Sequence, residues 1–121
     1  MKKILIVDDS KAEVRLLELL LEQAGYAPVS LSDPRRVEQV VASERPQLIL
    51  LDVIMPERNG FQVCRELKGN AETSRIPVVL VTSKDTDSDR FWGQRQGADG
   101  YVTKPFTPQQ LLDAVQKFVR A

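Results

Sequence analysis

The chain has no histidine, and that absence removes more chemistry than any other feature of its 121 residues. Without imidazole there is no His-based acid or base, no imidazole metal ligand and no phosphohistidine step carried by the chain itself. Cys64 is the single cysteine, so an internal disulfide is impossible and no thiolate cluster can hold a metal. Neither sign of charge is in excess. Lys+Arg and Asp+Glu number 17 each, so no bulk field draws the chain toward nucleic acid or an anionic membrane. The only adjacent basic pairs, Lys2-Lys3 and Arg35-Arg36, are too few for a nucleic-acid footprint. Long apolar runs are missing too. No stretch nears the roughly 20 residues of a membrane span, and Asp8-Asp9 stop the opening Ile-Leu-Ile-Val run far short of a signal peptide. A soluble, cytoplasmic chain forming one domain over residues 1–121 is expected.

What is present is ordered by period. Apolar residues make up 42% and charged residues 28%, ordinary for a globular domain. Short aliphatic runs at Ile4–Val7, Leu48–Leu51 and Val78–Val81, with weaker ones at Ala27–Leu31 and Asp99–Thr103, read as five strands. Between them lie segments of helical period. Val14, Leu17, Leu20, Leu21 and Ala24 share one face of a first helix that stops at Gly25. Leu111, Leu112, Val115, Phe118 and Val119 form a stripe behind Thr107-Pro108, a cap followed by a first-turn proline. Pro34–Glu44, Phe61–Lys68 and Ser88–Gln96 read as the other three. Gly93, about 1 kcal/mol poorer than alanine in a helix, and a thin apolar stripe make the fourth helix the weakest. Phe91 and Trp92 within it are expected to be core or half-buried packing, and Cys64 a small buried hydrophobe.

Five strands alternating with five helices imply an α/β fold, a parallel sheet covered on both faces. The strands at residues 4, 48 and 78 are aliphatic throughout and belong in the middle. Pro28 cannot donate to a ladder, so its strand takes an edge, and the polar Asp-Gly-Tyr-Val-Thr suits the other. With right-handed crossovers the order is 2-1-3-4-5, doubly wound, with its switch point between strands one and three.

The carboxyl ends of the strands concentrate charge. Asp8-Asp9 close the first, Asp52 the third and Thr82-Ser83 the fourth, while Thr103-Lys104-Pro105 follow the fifth. Converging carboxylates repel one another. A magnesium ion relieves this, because it takes hard oxygen ligands and keeps places for water and phosphate. A carboxylate held against a bound phosphate can then attack it to form an acyl phosphate.

Asp8-Asp9, Asp52 with Met55-Pro56 and Asn59-Gly60, Thr82-Ser83 and Lys104-Pro105 together resemble the receiver domains of two-component response regulators, from about Lys3 to Val119. The resemblance implies a flavodoxin/CheY-like (βα)5 fold with Asp52 as phospho-acceptor. It implies Asp9 as a direct magnesium ligand, Asp8 acting mainly through a bound water, and the backbone carbonyl of Ile54 completing the metal shell with Asp52. Thr82 and Lys104 are then the groups that bind phosphoryl oxygens, and Thr82 with Tyr101 the switch pair. The Lys104-Pro105 bond is commonly cis in the family. The implied partners are a histidine kinase as phosphodonor and a downstream protein docking on helix four, strand five and helix five. Neither nucleic-acid binding nor membrane insertion is implied, and the expected state is a monomer or weak dimer. With no output domain in the chain, a stand-alone regulator acting by docking or as a phosphate sink is expected, not an enzyme. Thr73–Pro77 and Trp92–Ala98 are similar to PilH-type regulators of twitching or phototaxis. Ile54 stands where flagellar chemotaxis regulators carry a polar side chain that influences phosphate hydrolysis.

Each residue has a plainer reading: Asp8-Asp9 as helix-cap charge, Asp52 as a strand end, Thr82 as a loop start, Lys104 as an exposed turn lysine. Their coincidence on one rim favours the functional reading. A haloacid-dehalogenase-type phosphatase needs a second acid two positions after its nucleophile, where this chain has Ile54. Glu38 reads as an ordinary surface acid.

Overall fold

Ile4–Val7, Leu48–Leu51 and Val78–Val81 are buried on both faces because they form the middle of the sheet. The computed structural model describes all 121 residues. Strands β1 (Lys3–Val7), β2 (Ala27–Leu31), β3 (Leu48–Leu51), β4 (Val78–Thr82) and β5 (Gly100–Thr103) alternate with helices α1 (Lys11–Gln23), α2 (Val37–Glu44), α3 (Gly60–Gly69), α4 (Asp87–Arg95) and α5 (Pro108–Gln116). The sheet is parallel in the order β2-β1-β3-β4-β5. That is the order expected from Pro28 at one edge and the polar strand at the other.

Alternation along the strands splits the core in two. Leu5, Val7, Ile49, Leu51, Val78 and Leu80 face one way and meet Val37 and Val41 of α2 with Val63, Cys64 and Leu67 of α3. Ile4, Ile6, Leu48, Leu50, Val79 and Val81 face the other and meet Leu17 and Leu21 of α1 with Leu111 and Val115 of α5. Each such side chain contributes about 1.5–3 kcal/mol on full burial. The Tyr26 hydroxyl, buried among them, donates to the Val119 carbonyl at 2.6 Å and ties down the chain beyond α5.

The ends of the helices differ in places from the sequence reading. Pro34–Arg36 form a tight 3-10 turn, so the second helix is α-helical only from Val37. Helix α5 opens on the Thr107 cap as expected but closes at Gln116; Val119 is buried beyond it and Phe118 is exposed. Helix α4 carries a full capping box, in which the Thr86 hydroxyl accepts from the Asp89 N–H and the Asp89 carboxylate accepts from the Thr86 N–H. Gly93 is there for closeness: a Cβ would stand 2.9 Å from Leu80 Cδ1 and 3.1 Å from the Tyr101 ring. Phe91 and Trp92 correct the sequence reading. They are 61% and 52% exposed, because α4 turns Gly93, not its aromatic side, toward the sheet.

Candidate functional site

Parallel register brings the acids together. Val7 pairs with Leu51 across β1 and β3, and the Asp52 N–H donates to the Val7 carbonyl at 2.9 Å, so the next residues, Asp8 and Asp52, leave the sheet side by side. Asp8, Asp9 and Asp52 each offer a carboxylate oxygen within 4.8 Å of the others. Asp8 and Asp52 are buried and Asp9 is exposed. Asp8 also accepts from the Ser10 N–H at 2.9 Å, and Ser10, rather than Asp9, is the cap of α1.

From the other side, Thr82 pairs with Thr103, and the Lys104 N–H donates to the Thr82 carbonyl at 2.9 Å. This register delivers Lys104 across the cluster, with its side chain only 14% exposed. Its ammonium stands 2.9 Å from Asp8 Oδ2, 3.6 Å from Asp52 Oδ2 and 4.0 Å from Glu13 Oε2. The Lys104-Pro105 peptide is cis.

The charges shape one another. Burial pushes the Asp52 carboxyl above the ordinary aspartate value. The Lys104 charge pulls it down, the Asp8 charge pushes it up, and the Val53 and Ile54 N–H groups favour ionisation, with a net rise. Val53 N–H donates to Asp52 Oδ1 at 2.7 Å, leaving Oδ2 toward Lys104. Burial works against the Lys104 ammonium, but the bond to Asp8 and the charges of Asp52, Asp8 and Glu13 outweigh it and hold the amine above the usual lysine value. Three carboxylates against one ammonium leave the cluster anionic, and its donors are all hard oxygens. That fits a small divalent cation such as magnesium.

Thr82, at the end of β4, and Tyr101 of β5 join through Lys84. Thr82 is fully buried, and its hydroxyl accepts from the Lys84 N–H at 3.3 Å. The Tyr101 hydroxyl donates to the Lys84 carbonyl at 2.6 Å, and the Arg90 guanidinium lies 5.2 Å from the ring centroid. Ile54, two residues beyond Asp52, has a 57% exposed side chain.

Three structural roles at the site lie outside the sequence reading, although Gly60 itself stands in the motif that reading named. Gly60 opens α3 directly beneath Asp52, where a Cβ would fall 2.0 Å from the Asp52 carbonyl oxygen. Arg58 clamps the loop between β3 and α3: its guanidinium bonds Glu38 at 2.8 Å, the Pro34 carbonyl at 3.0 Å, and Glu66. Glu38 is therefore not an ordinary surface acid. Its carboxyl is held below the usual glutamate range, chiefly by the Arg58 bond. The third is the α4 capping box, which Thr86-x-x-Asp89 displays in sequence. Nothing local marks Arg58, because its partners lie 20 and 8 residues away.

The family model for the response regulator receiver domain matches residues 4–116. Protein PilH of Pseudomonas aeruginosa is 43% identical over 115 residues, covering 95% of each chain. Among solved structures, the BeF3-activated N-terminal receiver domain of Klebsiella pneumoniae RstA superposes with a TM-score of 0.91 at 32% identity, covering 99% of this chain and 100% of that one. Vibrio cholerae chemotaxis protein CheY4 gives 0.90 at 28% identity, covering 98% and 99%.

Proposed function

The chain belongs to the response regulator receiver domain family, and on that premise we propose that it is a phospho-acceptor switch whose acceptor is Asp52. The observation that carries this is one ammonium, Lys104, poised between two buried carboxylates at 2.9 and 3.6 Å beside an exposed third. The chain has no histidine, so no phosphohistidine forms within it, and membership of the receiver family points to the phosphohistidine of a kinase as donor. Asp52 attacks the phosphorus, the P–N bond breaks, and the imidazole keeps the electron pair and takes up a proton. Asp8, Asp9, Asp52 and the Ile54 carbonyl would hold magnesium, which when bound screens the incoming phosphate from the acids. Lys104 and Thr82 meet the phosphoryl oxygens. The transfer, and the later attack of water that breaks the Asp52–phosphoryl bond and releases inorganic phosphate, are catalysed by the domain on itself, with no external substrate turned over.

Two charge-assisted hydrogen bonds are worth roughly 3–6 kcal/mol, against about 5.5 kcal/mol to carry a two-state equilibrium from 1:99 to 99:1. Lys104 is already bonded to Asp8, so its gain is an exchange and the switch leans on Thr82. When Thr82 leaves the Lys84 N–H for the phosphoryl group, the Lys84 carbonyl that holds Tyr101 is disturbed, and with it the face of α4, β5 and α5. Similarity to PilH supports a place in pilus-related motility signalling. No helix is long and apolar enough to cross a membrane; membership of the receiver family supports action in the cytoplasm.

The deciding experiment is intact-mass analysis after incubation with magnesium and acetyl phosphate. One added phosphoryl group, absent with Asp52→Asn and after chelation, is expected. Absence of an adduct together with no Trp92 fluorescence response to beryllofluoride would overturn the reading.

A further inference from the structure

Seven large hydrophobic side chains are exposed, and three of them, Ile54, Phe91 and Trp92, stand around one groove. It is a cleft of about 950 Å³ between the loop after β3 and the first turns of α4, floored by Val53, Met55 and Phe61. It continues past Phe61 and Trp92 into a smaller depression of about 220 Å³ beside Arg65. Single exposed apolar residues are ordinary, but a contiguous patch with a tryptophan at its centre is the composition of an anchor site.

The ends of the groove carry opposite charge. At the end near Asp52 stand Asp87 and Asp89, with Lys84 paired to Asp89 at 3.7 Å. At the other end is Arg65, and Arg95 lies 6.0 Å from the Phe91 ring centroid. Asp87, Arg65 and Arg95 take part in none of the protein's ion pairs. An elongated apolar groove with one unpaired acidic end and one unpaired basic end fits an amphipathic helix. We propose that this groove docks one such helix of a protein partner, with an apolar stripe over Trp92 and Phe91, a basic residue toward Asp87 and an acidic residue toward Arg65. It lies on the opposite side of α4 from the smaller, more polar hollow between Tyr101 and Lys117.

The groove also touches the switch. Lys84, at its mouth, bonds Thr82 through its N–H and Tyr101 through its carbonyl, and Ile54 follows Asp52 by two residues. Sensitivity of docking to phosphorylation rests on the function proposed above; the docking itself does not.

A displayed library of helical peptides, with fixed apolar positions at i, i+3, i+4 and i+7 and randomised flanks, tests this against the whole protein with and without beryllofluoride and magnesium. Enriched peptides should carry a base at one end and an acid at the other. They should lose about tenfold or more in affinity with Trp92→Ala and with Phe91→Ala, and less than twofold with Lys117→Glu. No enrichment, binding that survives both aromatic variants, or flanks without that charge pattern would overturn the proposal. So would self-association abolished by Trp92→Ala, which would assign the groove to a second copy. Docking that persists while Asp52 takes up no phosphoryl group would sink the switch reading alone.

Discussion

The Lys104 ammonium lies 2.9 Å from a carboxylate oxygen of Asp8, across 96 positions of sequence. In this arrangement the lysine is the resident counter-ion of the acid cluster, and an incoming divalent cation meets a site that already holds one positive charge.

Lys104→Ala should therefore bind magnesium more tightly, by about fivefold or more, because roughly 1 kcal/mol of charge repulsion is removed. Stability without the metal should fall by about 1–3 kcal/mol, as Asp8 loses a buried partner, and millimolar magnesium should restore part of it. Calorimetric titration and urea unfolding read the two effects. Unchanged or weaker magnesium binding would refute the counter-ion role.

Asp9 is the exposed member of the cluster. Asp9→Ala should weaken magnesium at least about tenfold by taking away an oxygen donor. Glu22→Ala, on the exposed surface of α1, should leave it unchanged. Glu38 is unsuitable as a control, since its change would release Arg58. Equal effects at Asp9 and Glu22 would remove the metal argument.

Arg58 is buried more deeply than the two acids it joins. Arg58→Ala should cost about 1–2 kcal/mol, above the value of an exposed pair. In a double-mutant cycle with Glu38→Gln the losses should not add. A loss under about 0.3 kcal/mol would mean the clamp is incidental.

Gly60→Ala should be among the most damaging single-methyl changes in the chain, costing about 2–4 kcal/mol. The added carbon falls on the Asp52 carbonyl, which is backbone and cannot turn aside. Chemical shifts of Asp52 and Val53 should move with the loss. A variant as stable as the parent would show that α3 can slide.

Burial holds the Cys64 thiol at about 11, against an ordinary value of 9.0. Between these values the unfolded chain releases the thiol proton while the folded chain keeps it. The contribution of Cys64 to stability is therefore constant below pH 9 and falls as pH rises toward 11. The urea midpoint should drop less steeply over pH 9–11 for Cys64→Ala than for the parent. The same burial should make alkylation at pH 8 depend on unfolding. Parallel curves and fast labelling of the folded protein would contradict this.

Much of this protein is local information. The aliphatic runs, Pro28, Gly25 and Thr107-Pro108 mark strands, an edge, a stop and a start through backbone preferences that act over a few residues. Strand order follows from which runs tolerate two buried faces, and the strand ends then predict the acids, Thr82 and Lys104 on one rim. The misreadings have a common cause. Phe91 and Trp92 look like core or half-buried packing from composition, but exposure depends on how α4 is rotated, and Gly93 pressed against Leu80 and Tyr101 sets that rotation. Glu38, on α2, looks free until Arg58 reaches it from the loop after β3.

By itself the sequence determined the alternation of elements, the edge strands and the residue types at the switch point, because hydrophobic period and ladder chemistry belong to each segment alone. Tertiary structure decided which groups became partners: Lys104 with Asp8, Arg58 with Glu38 and Glu66, Tyr101 with Lys84, and three apolar side chains around one groove. Those pairings depend on distances of 2.6–3.6 Å between segments far apart in the chain, and such distances exist only once register and helix rotation are set by packing.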